Sequence, residues 1–238
     1  ITASNADVVT DYISNLIPGD GDTELSIDLR ENHSADFSIL FVRELDSNQS
    51  NNTFTQLSLF NTEKNSDDRI VANLGLGKRF LSEDKFSMTG INAFVDYDDE
   101  GNLRSSIGLE MRNAVLNFAF NNYFGMDDAD GEKVLDGYDM RLASQIPYIH
   151  WADFFINSYS WDGVKRDDVE GLMYGTEMLL SPNINLEIAF DDKDKAGLDD
   201  EYYAKIIFVH PPRNSVTAQD GASNEMWKQE KDMSDEML

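Results

Sequence analysis

Cysteine is missing from this 238-residue chain, so whatever holds the fold together is not a disulfide. That absence fits an oxidising compartment entered without need of disulfides, and fits a reducing one equally well. Cationic residues are scarce: 19 Lys and Arg stand against 45 Asp and Glu, a formal net charge of −26. A balance this acidic argues against nucleic acid as a partner, because phosphate recognition needs a basic face. Long apolar runs are absent too. The apolar runs are short pieces such as ILFV at 39–42 and IIFV at 206–209, far from the ~20 residues that a spanning helix needs. If such a chain crosses a bilayer, it does so as a barrel. Histidine is limited to His33, His150 and His210. Ser144 and His150 straddle Pro147 and could approach each other, but no third group is placed to orient the histidine, so neither an enzyme nor a cofactor is expected. The chain has no initiator Met and no basic segment leading into an apolar core, and Ile1 reads as a processed or trimmed start. No linker-like shift in composition and no internal repeat divides it, which suits one large β domain.

What the chain has in quantity is alternation. From Asn73 to Phe124 it reads as four consecutive strands joined by short polar turns. Ile91, Ala93, Val95 and Tyr97 point one way, while Gly90, Asn92, Phe94 and Asp96 point the other. The next strand repeats the pattern, with Leu103, Ile107, Leu109 and Met111 against Arg104, Ser106, Gly108, Glu110 and Arg112. One face is apolar and the other carries full charges. A soluble acidic β-sandwich that binds cations would expose the charged face, whereas a membrane barrel with a wet lumen would turn the apolar face to lipid. Alternation alone leaves both open.

The connections favour the barrel. Twelve strands are expected, at 23–30, 35–45, 52–60, 69–80, 85–97, 102–112, 114–124, 137–146, 150–161, 170–180, 183–191 and 201–209. Odd-numbered linkers such as NTEKNSDD and GMDDADGEKVLD are long and acidic, and most even-numbered ones, such as LSED and SP, are tight, with DSNQSN the exception. Outer-membrane barrels sort their loops in this way, long outside and short in the periplasm. The boundaries expected are a lead-in over 1–22 with an amphipathic helix from Ser4 to Ile17, a transmembrane antiparallel barrel over 23–210, and a polar tail over 211–238 that, taken alone, reads as disordered. Pro211 and Pro212 end the last ladder. Ser223 or Asn224 could cap a short helix running to Met233. The Asp-rich stretches at Asp96–Gly101 and Asp128–Gly131 have oxygen donors beside a Gly, but neither places a Glu where an EF-hand needs one, so no metal site is assigned. His150 beside Trp151 reads as part of an aromatic girdle.

The runs NLGLGKRF, GINAFVDYD and IGLEMRNAVLNFAFNNYF, with TELSIDLR at Thr23, FTQLSLFN at Phe54 and YDMRLASQIPYIHWADFFINSY at Tyr138, resemble the β-domain of the inverse autotransporters, the intimin and invasin adhesin family. The resemblance implies an outer-membrane barrel that anchors an adhesin passenger and assists its export, folded with the help of the barrel-assembly machinery. It also implies that the segment after the last strand re-enters the lumen. No passenger sequence follows here, which leaves a stand-alone pore or structural barrel as the alternative. On the barrel reading Asn92, Arg104, Glu110, Arg112, Asn117, Asn121, Asp139 and Arg141 line the lumen. Ile91, Val95, Leu116, Phe118, Phe120, Ile206 and Phe208 face lipid. The in-strand glycines Gly75, Gly77, Gly90, Gly108 and Gly175 relieve crowding at the wall.

Overall fold

The computed structural model describes residues 16–31, 34–64, 67–128, 133–163, 168–194, 199–228 and 232–237. Most of the helix expected from Ser4 to Ile17 lies outside them. Twelve antiparallel strands follow one another: β1 (Thr23–Arg30), β2 (Asp36–Ser47), β3 (Asn51–Lys64), β4 (Asp67–Leu81), β5 (Ser87–Asp98), β6 (Leu103–Asn113), β7 (Leu116–Asp127), β8 (Gly137–Ile146), β9 (Ile149–Trp161), β10 (Val169–Ser181), β11 (Ile184–Asp194) and β12 (Glu201–His210). Each pairs with its neighbours in sequence, and β1 closes on β12 with Thr23 opposite His210 and Arg30 opposite Tyr203. One closed sheet replaces the two packed sheets of a sandwich, so that alternative is corrected. Closure also removes the unpaired edges that an open sheet would present.

The connections sort by end. On one side lie 48–50, 82–86, 114–115, 147–148 and 182–183; on the other lie 31–35, 99–102, 128–136, 162–168 and 195–200. The exception expected at DSNQSN shrinks to three residues, because β2 runs on to Ser47 past a bulge between Glu44 and Asp46. The long linker expected at NTEKNSDD is mostly strand instead, since β3 and β4 pair without a break out to Lys64 and Asp67. Polar side chains do not end a hairpin whose backbone partners continue.

Tight turns have local causes. Asn113 Oδ1 accepts from the Val115 and Leu116 amides at 2.9 and 2.8 Å, so a side chain substitutes for a turn carbonyl. At 82–86 the Asp84 carboxylate accepts from the Ser82 hydroxyl and the Phe86 amide, and these donors hold its pKa below the ordinary value. Between β8 and β9 the turn is Pro147–Tyr148, with Tyr148 at φ 65 where glycine is the usual choice. Ahead of β1, the carbonyls of Asp20 and Asp22 accept from Glu44 and Val42, which prolongs the pairing with β2. Arg43 locks this lead-in by donating to Ile17 O, Asp22 O and Thr23 Oγ1.

Among the described residues the helix expected from Ser223 or Asn224 is not formed: 221–223 and 227–228 are irregular and 224–226 form a bend, with 3-10 turns at Ala218–Asp220 and Met233–Glu236, while 229–231 of the expected helix lie outside the described residues. Its backbone groups are bonded to the barrel instead of to each other, as described below.

The braced interior as candidate functional site

Which face is inside follows from ion pairs between strands that are not neighbours. Arg141 on β8 reaches Glu187 on β11 at 2.8 Å and Glu177 on β10 at 3.2 Å, contacts that can only run through the interior. Following the register from Arg141 around the sheet places Glu110, Gly90 and Arg79 on the same face. Asn92, Arg104, Arg112, Asn117, Asn121 and Asp139 share it by the same alternation. Ile91, Val95, Leu116, Phe118, Phe120, Ile206 and Phe208 fall on the opposite face. Ile91 is 53% exposed and Val95 44%, against full burial of several residues inside.

From β3 to β6 the interior is spanned by charge. Arg79 donates to Glu110 at 2.7 Å, passing over β5. That passage needs Gly90, whose place on β5 is so close to Glu110 that a Cβ would lie 2.4 Å from its carboxylate oxygen. Arg112 adds a second cation at 3.3 Å from the same carboxylate. The Arg79 guanidinium also stacks on Phe54, 4.4 Å from the ring centre, and Phe54 in turn lies over Gly77. Towards the long-loop end Arg104 grips Asp96 at 2.7 Å and sits over the rings of Tyr123 and Trp161. Asp139 accepts from the Tyr123 hydroxyl at 2.5 Å and the Asn121 amide at 3.0 Å. Asn92 and Asn121 approach each other across Gly108.

From β8 to β12 the Arg141 ion pairs share the interior with an apolar cluster. Ala143, Phe155, Met173, Ala189 and Tyr203 form one buried cluster, a residue from each of five consecutive strands, with Phe155 fully buried. Arg141 lies over the Phe155 ring at 3.7 Å, joining the charged sector to the apolar one. The closing seam is charged again: Arg30 meets Glu201 at 2.7 Å, Lys193 meets the same carboxylate at 2.6 Å, and Lys205 meets Asp28 at 3.3 Å.

The eight lumenal residues read from the sequence thus fall into several separate groups. Arg112 joins Glu110, Asn121 joins Asp139, Arg104 joins Asp96, and Arg141 joins carboxylates that were not singled out. Arg79, Glu187 and the Phe155 cluster were missed. Arg79 lies in KRF at the strand's end, where alternation with Gly75 and Gly77 would have marked it as inward-facing. The Asp-rich stretch at 96–101 is spoken for: Asp96 pairs with Arg104, and Asp98 accepts from the Glu100 and Asn102 amides and meets Arg69 at 3.2 Å.

At the short-turn mouth the tail lies against the rim. Arg213 donates its backbone N–H to Pro182 O and pairs with Glu24 at 2.8 Å, and the turn at 218–220 packs on β10. The ring nitrogens of His150 and Trp151, beside each other at this rim, bond the tail carbonyls of Glu225 and Gly221 at 2.9 and 3.0 Å. Above the tail is a cavity of about 370 Å³ walled by residues that include Arg112, Asn117, Arg141, Gln145 and Asn185.

The architecture is that of known outer-membrane barrels. A chain from a study of the in-meso crystallisation of membrane proteins superposes with a TM-score of 0.68 at 18% identity, over 85% of this chain and 88% of that one. Outer membrane phospholipase A from Escherichia coli gives 0.51 at 9% identity, over 84% and 96%. The KdgM porin gives 0.50 at 5%, over 79% and 98%. At these identities the likeness is one of fold. No curated protein sequence matches the chain. The sequence does match a family model, that of the inverse autotransporter β-domain, over residues 4–224. With that match spanning nearly the whole chain and a closed twelve-stranded barrel beneath it, the protein belongs to the inverse autotransporter β-domain family and is a β-barrel of the outer membrane.

Proposed function

We propose that this barrel anchors a C-terminal adhesin-type passenger in the outer membrane and assists its export, with the short turns in the periplasm and the long connections outside. The observation that supports this most is topological. With twelve strands, β12 ends on the side where β1 begins, so a chain continuing beyond the tail starts at the short-turn mouth. On the proposed orientation it reaches the cell surface only through the pore. Ile91, Val95, Leu116, Phe118, Phe120, Ile206 and Phe208 would then contact lipid, and Tyr97, Tyr138 and Tyr202, exposed near the long-loop ends of their strands, would sit at the outer interface. Asn92, Arg104, Glu110, Arg112, Asn117, Asn121, Asp139 and Arg141 would line a wet lumen. Buried side-chain oxygens of Asn73, Asn92 and Asn157 that lack a protein partner suit such a lumen, since water can serve them. The barrel-assembly machinery would insert it. We assign no chemistry to it, because the likeness to a phospholipase extends to the fold alone.

A reporter domain fused after Leu238, with an epitope in 128–136, tests the reading on intact cells. Both are expected to bind antibody from outside, while an epitope at 114–115 is not. A reporter that stays protected in a correctly oriented barrel would leave the second reading, a stand-alone barrel, which the packed sector around Phe155 favours.

A further inference from the structure

The tail touches the barrel at three separate places around the ring. Arg213 is fixed at the β10–β11 turn and at β1. Residues 221–228 are fixed at the β8–β9 turn, where the Tyr148 N–H donates to Met226 O at 2.9 Å and Tyr148 O accepts from the Ser223 N–H at 2.7 Å. Residues 233–237 are fixed at the β4–β5 turn, where the Met233 N–H donates to Lys85 O at 2.9 Å. Anchors at the β10–β11, β8–β9 and β4–β5 turns carry the described tail over much of the mouth.

Two of these anchors reach inside the rim. Lys228 donates its backbone N–H to Oε1 of Gln145, an inward residue only 6% exposed. Met233 and Met237 are buried against Met88, and Met237 O accepts from Arg79 at 3.1 Å, so the last anchor closes onto the charged brace. The tail also supplies part of the cavity's wall through Arg213, Lys228 and Met233. Tyr148 shows how closely the two surfaces fit. A positive φ is uncommon for a residue other than glycine, and both of this residue's peptide groups are held by the tail.

We propose that the described tail residues, 211–228 and 232–237, form a folded floor that shuts the lumenal cavity from the short-turn side and undocks as a unit while the barrel stays intact. It has the character of a low-stability unit: its grip is mainly backbone hydrogen bonds from irregular chain, and among the described residues only Met233 and Met237 add deeply buried apolar side chains. The strands pair all round a closed ring and are the stable unit beneath it. The floor also places the tail differently from the expected return through the lumen, since every described contact lies within a few residues of the mouth. The inference requires only the barrel and holds with or without a passenger.

The absence of cysteine makes the test clean. Asn117→Cys, which lies in the cavity wall, is placed in the full chain, refolded in detergent and exposed to a bulky polyethylene-glycol maleimide. The same reporter is placed in a Met233→Asp/Met237→Asp background. The undocked background is expected to label about tenfold faster or more, because labelling tracks the open population, with gel mobility before and after boiling unchanged. Gln145→Ala, a milder change, should give a smaller rise of the same sign. Tyr148→Gly keeps both backbone bonds and should label as slowly as the parent. In a second experiment, Met88→Cys/Met233→Cys should form a disulfide in the folded barrel on mild oxidation. Equal labelling in the parent and undocked backgrounds, fast labelling of Tyr148→Gly, or failure of the disulfide to form would each overturn the proposal.

Discussion

Between β3 and β6 the interior is bridged by the Arg79–Glu110–Arg112 ions, whereas between β8 and β12 an apolar cluster around Phe155 packs beneath the Arg141 ion pairs, on the facing side of the same barrel. The bridge at Arg79, Glu110 and Arg112 depends on every member. Removing two charges from water costs several kcal/mol each, and only their mutual attraction and hydrogen bonds offset it. The cluster around Phe155 depends on volume, and its cost of disruption is the transfer and cavity cost of the atoms lost. A barrel interior can therefore be held by either kind of contact, but the two fail differently.

The largest expected break is in the bridge. Glu110→Ala leaves Arg79, 8% exposed, with its main partner gone, and should destabilise the folded barrel by about 3–5 kcal/mol. Replacing both ends, Arg79→Met with Glu110→Leu, should restore most of that loss or exceed it. Urea titration of tryptophan fluorescence in lipid vesicles measures both, and a double variant as weak as the single one would contradict the bridge account.

In the opposite sector Phe155→Ala should cost about 3 kcal/mol, at the low end for a buried phenylalanine because a polar lumen can admit water to the space. No second substitution on a neighbouring charge should rescue it. Compensation by a larger residue at Gly175, directly opposite in the register, is not expected either, because a Cβ there would meet the Ile188 carbonyl oxygen at 2.1 Å.

Gly90→Ala sharpens the comparison at smaller scale. The added methyl enters the path of the Arg79–Glu110 bridge and should cost about 1–3 kcal/mol as overpacking. In the Glu110→Ala background the same change should cost much less, so the two should be strongly non-additive in a double-mutant cycle.

The smallest effect concerns pH at the turn under the floor. The Ser82 hydroxyl and the Phe86 amide lower the pKa of Asp84 below its ordinary 3.8. A depressed carboxylate contributes stability that is present above the unfolded-state pKa and lost as pH falls through the folded one. The parent should therefore lose slightly more stability than Asp84→Asn on acidification through that window, read as the difference in Tm between the two across an acid series.

Much of this was legible because strands write their two faces into alternate residues. Ile91 and Val95 against Asn92 and Glu110 are separable by eye, and a one-residue slip would have reversed them all. Alternation is fainter where both faces are apolar. β9 carries Phe154 and Phe155 side by side, and only the polar neighbours Asp153 and Asn157 mark Phe155 as the inward one. Partners are less legible than faces, because which carboxylate Arg141 meets is decided by the curvature that brings β8 near β11. The tail was hardest to read, since its grip is made by backbone groups of residues such as Ser223 and Met226, whose identities carry little of the information. Tyr148 gave no warning either, for the signature of a positive φ is glycine.

The closure of β1 on β12 also has a kinetic side. Every other pairing joins neighbours along the chain and can form as a local hairpin, whereas the Arg30 to Glu201 bond joins residues 171 positions apart. Closing so long a loop costs entropy before any contact rewards it, and folding slows as contacting residues lie farther apart in sequence. β1 is also among the shortest partners in the ring, at 8 residues. The seam is thus the step that must come last: until β12 exists and has found β1, the nascent sheet presents two open edges ready to pair with any strand nearby. Such a chain is exposed to edge-to-edge association for as long as the ring remains open.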